Sequence, residues 1–140
     1  MPEPNECFAY FTIVGDDLNP EEITEALGIT PTDSWKKGDL NPRNRYKRKF
    51  GRWSLYSRLV RSEELESHIA DVLTQLDQNP DAFRKISEAY GGRLQLVGCF
   101  HSYFPGLYYS PEIVQSLAQY RLEVDHDFYY LYSDAREDTC

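Results

Sequence analysis

Phe8–Gly28 reads FAYFTIVGDDLNPEEITEALG, and this stretch sets the class of the fold. Phe8–Val14 mixes aromatic and β-branched side chains, the types that fit a pleated, half-buried surface. Gly15-Asp16-Asp17 breaks the strand. Asn19 can cap a helix, Pro20 suits its first turn, and Glu22 completes a capping-box spacing. Ile23, Ala26 and Leu27 form a short apolar face, and Gly28 stands where a left-handed residue is wanted. The second decisive stretch lies near the other end. Ser110-Pro111-Glu112 starts a helix carrying Ile113, Val114, Leu117 and Tyr120, and Leu122–Tyr132 follows as a strand. On that strand Leu122, Val124, Phe128, Tyr130 and Tyr132 share one face, and Glu123, Asp125 and Asp127 share the other. The common cap-Pro-Glu start suggests two related halves.

Working inward, Gly51–Ser57 alternates Trp53 and Leu55 against Ser54 and Tyr56, a second strand. Ser62 is expected to cap a helix whose stripe is Leu65, Ile69, Val72, Leu73 and Leu76. Asn79-Pro80 begins another helix, with Phe83, Ile86 and Tyr90 on one face and Gly91-Gly92 as its stop. Arg93–Phe104 reads as a long strand, apolar on both faces. These elements predict a single α+β domain over residues 1–140, in the order β-α-β-α-α-β-α-β. It has one four-stranded sheet with helices mainly on one face, a relative of the ferredoxin-like topology. The expected core is Trp53, Leu55, Leu65, Ile69, Leu73, Leu76, Leu94, Leu96, Leu117, Val124 and Phe128. Residues 34–50 read as an extended basic loop, and residues 133–140 as a disordered polar tail.

The 140-residue chain is long enough to bury one core without metals or disulfides. Its three cysteines, Cys7, Cys99 and Cys140, form no metal or redox motif. No apolar run and no basic leader points to a membrane or to secretion, so a cytoplasmic protein is expected. Charge is the uneven feature. Lys36, Lys37, Arg43, Arg45, Lys47, Arg48, Lys49 and Arg52 stand against one acid, Asp39, a local charge of +7. A chain whose net charge is −8 therefore carries −15 elsewhere.

Catalytic motifs are missing: there is no G-x-G-x-x-G, phosphate loop, nucleophile elbow or H-E-x-x-H. The acids Asp16, Asp17, Glu21 and Glu22 lack the ligand pattern of a calcium loop and belong to a helix start. His68 reads as a boundary residue beside its helical stripe. His101 and His126 lie on two different strands, and their relative faces depend on a register that periodicity does not fix. Asp125-His126-Asp127 is no metal trio, because a strand turns the histidine away from both aspartates. No metal and no cofactor is expected.

Phe11–Thr24, with Leu27-Gly28-Ile29-Thr30-Pro31-Thr32, Trp35–Asp39 and Gly51–Leu55, resembles a bacterial family known as domain of unknown function 4279. The resemblance implies a small bacterial α+β domain, often a stand-alone protein, and brings no catalytic residues with it.

Three functions remain. First stands a non-catalytic protein-binding module of the immunity type, neutralising a basic partner such as a toxin through Glu63, Glu64, Glu66, Asp125 and Asp127. Second is a nucleic-acid or phospholigand binder working through Lys36–Arg52, where Trp35, Tyr46, Phe50 and Trp53 interleave with the cations. Third is an enzyme using His101, His126 and neighbouring carboxylates.

Overall fold

The computed structural model describes residues 3–132. Its elements are β1 (Glu6–Gly15), α1 (Pro20–Leu27), β2 (Asp33–Trp35), β3 (Gly51–Tyr56), α2 (Leu65–Leu76), α3 (Pro80–Tyr90), β4 (Arg93–Phe100), α4 (Pro111–Gln119) and β5 (Glu123–Tyr130). The fold is α+β, with one mixed sheet ordered β2-β3-β1-β4-β5. β1 is the middle strand and runs antiparallel to β3 and β4. β2 is antiparallel to β3, whereas β5 is parallel to β4.

The expected four strands are therefore five, and the element order gains a strand after α1. That strand, β2, comes from the segment read as loop. Its three residues pair with β3, and the chain then turns back on itself through the bridge Leu40↔Lys47. Residues 36–50 thus form an ordered arm. Asn41 N donates to the Tyr46 carbonyl, and Arg48 N donates to that of Asp39. The two halves are also less alike than their helix starts suggest. β4-α4-β5 is a crossover between adjacent parallel strands, whereas β1 and β2 run the same way with β3 inserted between them.

Local signals explain most of the helices. Asn19 Oδ1 accepts from Glu21 N and Glu22 N, Ser110 Oγ accepts from Ile113 N, and Gly28 ends α1 in the left-handed region. The expected cap Ser62 is corrected, because that residue lies in a turn. α2 begins only after Glu64, with no side-chain cap.

One face of the sheet meets the helices. Cys7, Ala9, Phe11 and Ile13 of β1, Trp53 and Leu55 of β3, and Leu94, Leu96 and Phe100 of β4 form the core with Ile23, Leu27, Leu65, Ile69, Leu73, Leu76 and Phe83. Phe83 meets Phe11 and Trp53 edge-on, at centroid distances of 5.4 and 6.2 Å. Of the expected core, Leu117, Val124 and Phe128 are only half-buried, because α4 and β5 form the margin of the layer. His68 is corrected from a boundary residue to a fully buried one, held by Ser57 Oγ at 2.6 Å from its Nδ1. None of the described helices is long and apolar enough to cross a membrane.

Candidate functional site

No described helix packs on the opposite face of the sheet, and strand alternation fixes what that face presents. Across the strands run the rows Trp35–Arg52–Val14, Asp33–Ser54–Thr12–Arg93–Glu123, Tyr56–Tyr10–Gln95–Asp125 and Phe8–Val97–Asp127. The β2-β3-β1 side carries rings and guanidinium groups, and the β4-β5 side carries acids. A strip of alternating cations and rings crosses the first side. Tyr10 and Tyr56 stack at 4.4 Å, and Phe8 lies 5.9 Å from Tyr56. Arg61 sits 4.4 Å above Phe8, Arg52 lies 5.0 Å from Tyr10 and 5.3 Å from Trp35, and Arg48 stands 3.6 Å over Trp35. Each such contact contributes about 0.5–1 kcal/mol at exposed sites.

Short hydrogen bonds hold this surface in place. Arg52 Nε donates to Ser54 Oγ at 2.7 Å, and the Ser54 and Thr12 hydroxyls lie 2.9 Å apart. On the acidic side Gln95 Nε2 donates to Asp125 Oδ2 at 2.8 Å, and Arg93 pairs with Glu123 at 3.4 Å. Burial pushes the Tyr56 phenol above its ordinary pKa, although Arg52 opposes the shift.

Of the eight cations singled out in the sequence, only Lys37 reaches a carboxylate among the described residues, Asp16 at 3.9 Å. Arg48 and Arg52 lie on the rings instead. Lys36, Arg43, Arg45, Lys47 and Lys49 are exposed on the arm. The five acids singled out do not converge. Asp125 and Asp127 share the open face, whereas Glu63, Glu64 and Glu66 stand at the start of α2 on the helical side. Those three line a small cleft with Tyr103 and Pro105, about 210 Å³ in volume.

The histidines do not meet either. His101 lies beyond β4 between Glu3 and Glu6, at 3.2 and 3.3 Å. His126 faces the helical side, where its Nε2 lies 2.7 Å from the Tyr109 hydroxyl. The Ser57–His68 contact resembles part of a catalytic dyad, yet the ring is fully buried and no substrate reaches it. Cys7 faces the core and Cys99 the open face, and burial pushes the Cys7 thiol up to about 11, which leaves it unreactive. Cys140 lies outside the described residues. Among those residues no three of His, Cys, Asp and Glu gather as metal ligands.

Phe8, Tyr10, Tyr56 and Arg61 are the functional candidates that sequence reasoning missed. Their signal was present in β1, where large rings occupy both faces although only one face is packed by helices.

The arrangement defines an α+β domain with one sheet face that no described helix covers, half aromatic and cationic, half acidic. The chain belongs to the family described as Domain of unknown function (DUF4279), whose model matches residues 5–131. No curated protein and no solved structure matches it.

Proposed function

We propose that the chain is a non-catalytic binding module whose working surface is the uncovered sheet face, and that its partner is a protein with a basic patch. The carrying observation is the strip of Phe8, Tyr10, Tyr56, Arg52 and Arg61 beside Asp125 and Asp127. Tyrosine and arginine are enriched at the energetic centres of protein interfaces, where they fill well-packed, desolvated pockets. Neither aspartate has a cationic side chain within 4.0 Å among the described residues, so both can steer a basic partner into place. An immunity-type protein covering a basic toxin would use such a surface. We further read β2-β3-β1-β4 with α1, α2 and α3 as a ferredoxin-like core extended by α4 and β5, because its β-α-β-β-α-β strands interleave in that manner.

The test compares variants for capture from the native cell extract. Tyr10→Ala combined with Asp127→Asn should lose a protein that the parent chain retains. The triple change Glu63→Gln, Glu64→Gln, Glu66→Gln should keep it. The opposite pattern would move the interface to the start of α2.

A further inference from the structure

Where the basic arm meets the open face, it borders a second feature, an open groove that shares Trp35, Tyr56 and Arg48 with the strip. A cavity of about 640 Å³ has Asp33, Trp35 and Tyr56 of the sheet on one side and Asn41, Pro42, Arg43 and Arg48 of the arm on the other. Among the described residues, none of Arg43, Arg48 and Arg52 has a carboxylate within 4.0 Å. Arg48 and Arg52 nevertheless crowd one ring, their guanidinium carbons 3.6 and 5.3 Å from the Trp35 centroid. Two cations held at one ring lie within about 8.9 Å of each other, and they make this end of the groove positive. Arg48 Nε is also buried and has no hydrogen-bond partner. A buried donor left unpaired carries a desolvation cost, so Arg48 is held on the ring by its stacking and not by a hydrogen bond at Nε.

We propose that this cavity binds a nucleoside phosphate. A phosphate group presents several oxygens to the guanidinium forks of Arg48 and Arg43, neither of which is paired with a carboxylate among the described residues. Trp35 and Tyr56 supply the π surfaces that a base requires. Asp33 faces the same space with acceptor oxygens, which repel a bare phosphate but take a hydrogen from a sugar hydroxyl or a base amine. Asn41 adds a donor at Nδ2, its Oδ1 already accepting from Arg43 N at 2.9 Å. The volume lies in the range of small-molecule sites. The ligand is therefore an anion at one end and a hydrogen-bond donor at the other, which neither pyrophosphate nor a nucleoside alone satisfies.

The same chemistry comes free or as one unit of a single strand, and titration calorimetry distinguishes the two. ADP, pyrophosphate, adenosine and an eight-nucleotide single-stranded RNA are each titrated into the full chain at low salt. ADP should bind at least tenfold more tightly than pyrophosphate or adenosine. The double change Arg43→Ala, Arg48→Ala should weaken it at least tenfold, and Trp35→Phe should retain more of it than Trp35→Ala. The melting curve of each variant serves as the folding control. Tighter binding of the RNA through the same residues, with a steep salt dependence, would place the nucleotide in a strand, and tighter binding of ADP would place it in solution. Absence of binding by both ADP and the RNA, or binding unchanged in the Arg43→Ala, Arg48→Ala variant, would overturn the proposal. None of these variants alters Tyr10 or Asp127, so each should still retain the basic partner in the capture test.

Discussion

Replacing Phe83 by Ala should be the most damaging single truncation in the helical layer. Phe83 and Ser87 are the buried residues of α3, so one ring does most of the fastening of that helix to the sheet. The ring is wholly buried and meets Phe11 and Trp53 edge-on. Truncating a buried Phe costs about 3–5 kcal/mol. Aromatic pairs are worth about 0.5–1.5 kcal/mol beyond their area, which puts this site in the upper half of that range. For 140 residues, an unfolding entropy near 2.1 cal/mol/K per residue converts about 4–5 kcal/mol into a Tm drop of about 14–17 °C. Urea and thermal unfolding measure both quantities. Amide exchange in residues 80–90 should quicken more than in β1, because α3 loses its anchor while the middle strand keeps both neighbours. A loss below about 1 kcal/mol would place Phe83 outside the core and refute the packing described.

Two predictions concern pH. Burial lowers the pKa of His68 below 6.5 although contacts with Val60 and Asp71 oppose it, so the unfolded chain binds its proton first. The stability this residue contributes is present above about pH 6.5 and should fall as pH drops towards its folded value, a slope that His68→Gln should flatten in urea titrations. Asp71 is pushed up by burial, but the hydrogen bonds from Arg58 outweigh this and hold its carboxyl below the ordinary 3.8. Its contribution should therefore persist through neutral and mildly acid pH and disappear below about pH 3.8, and Asp71→Asn should remove that acid limb from the melting profile.

Periodicity and capping chemistry revealed much of this fold. The stripe from Leu65 to Leu76, the Asn19 and Ser110 caps and the clean alternation of β5 are local signals, each complete within a dozen residues. β2 escaped because three residues, Asp33-Ser34-Trp35, are too few to show alternation. Their pairing with β3 is made across an arm that carries no apolar pattern. Ser62 misled because a capping residue before a helix is equally at home in the turn that precedes it. The candidate site was the least visible part. The basic run was plain in the sequence, but its meaning depends on Arg48 meeting Trp35 and Arg52 meeting Tyr10, contacts made by chain reversal and strand register. The charges of Glu63 and Asp125 looked alike in one dimension, and the sheet separates them onto opposite faces.

Carboxyl footprinting of the complex tests the central claim most directly. The chain, bound to the protein it retains from native extract, is labelled with a carbodiimide and an amine, and each carboxylate is quantified by mass spectrometry. If the open sheet face is the working surface, Asp125 and Asp127 should lose most of their labelling in the complex, while Glu63, Glu64 and Glu66 react as in the free chain. Protection of the three glutamates with Asp125 and Asp127 still labelled would contradict the account.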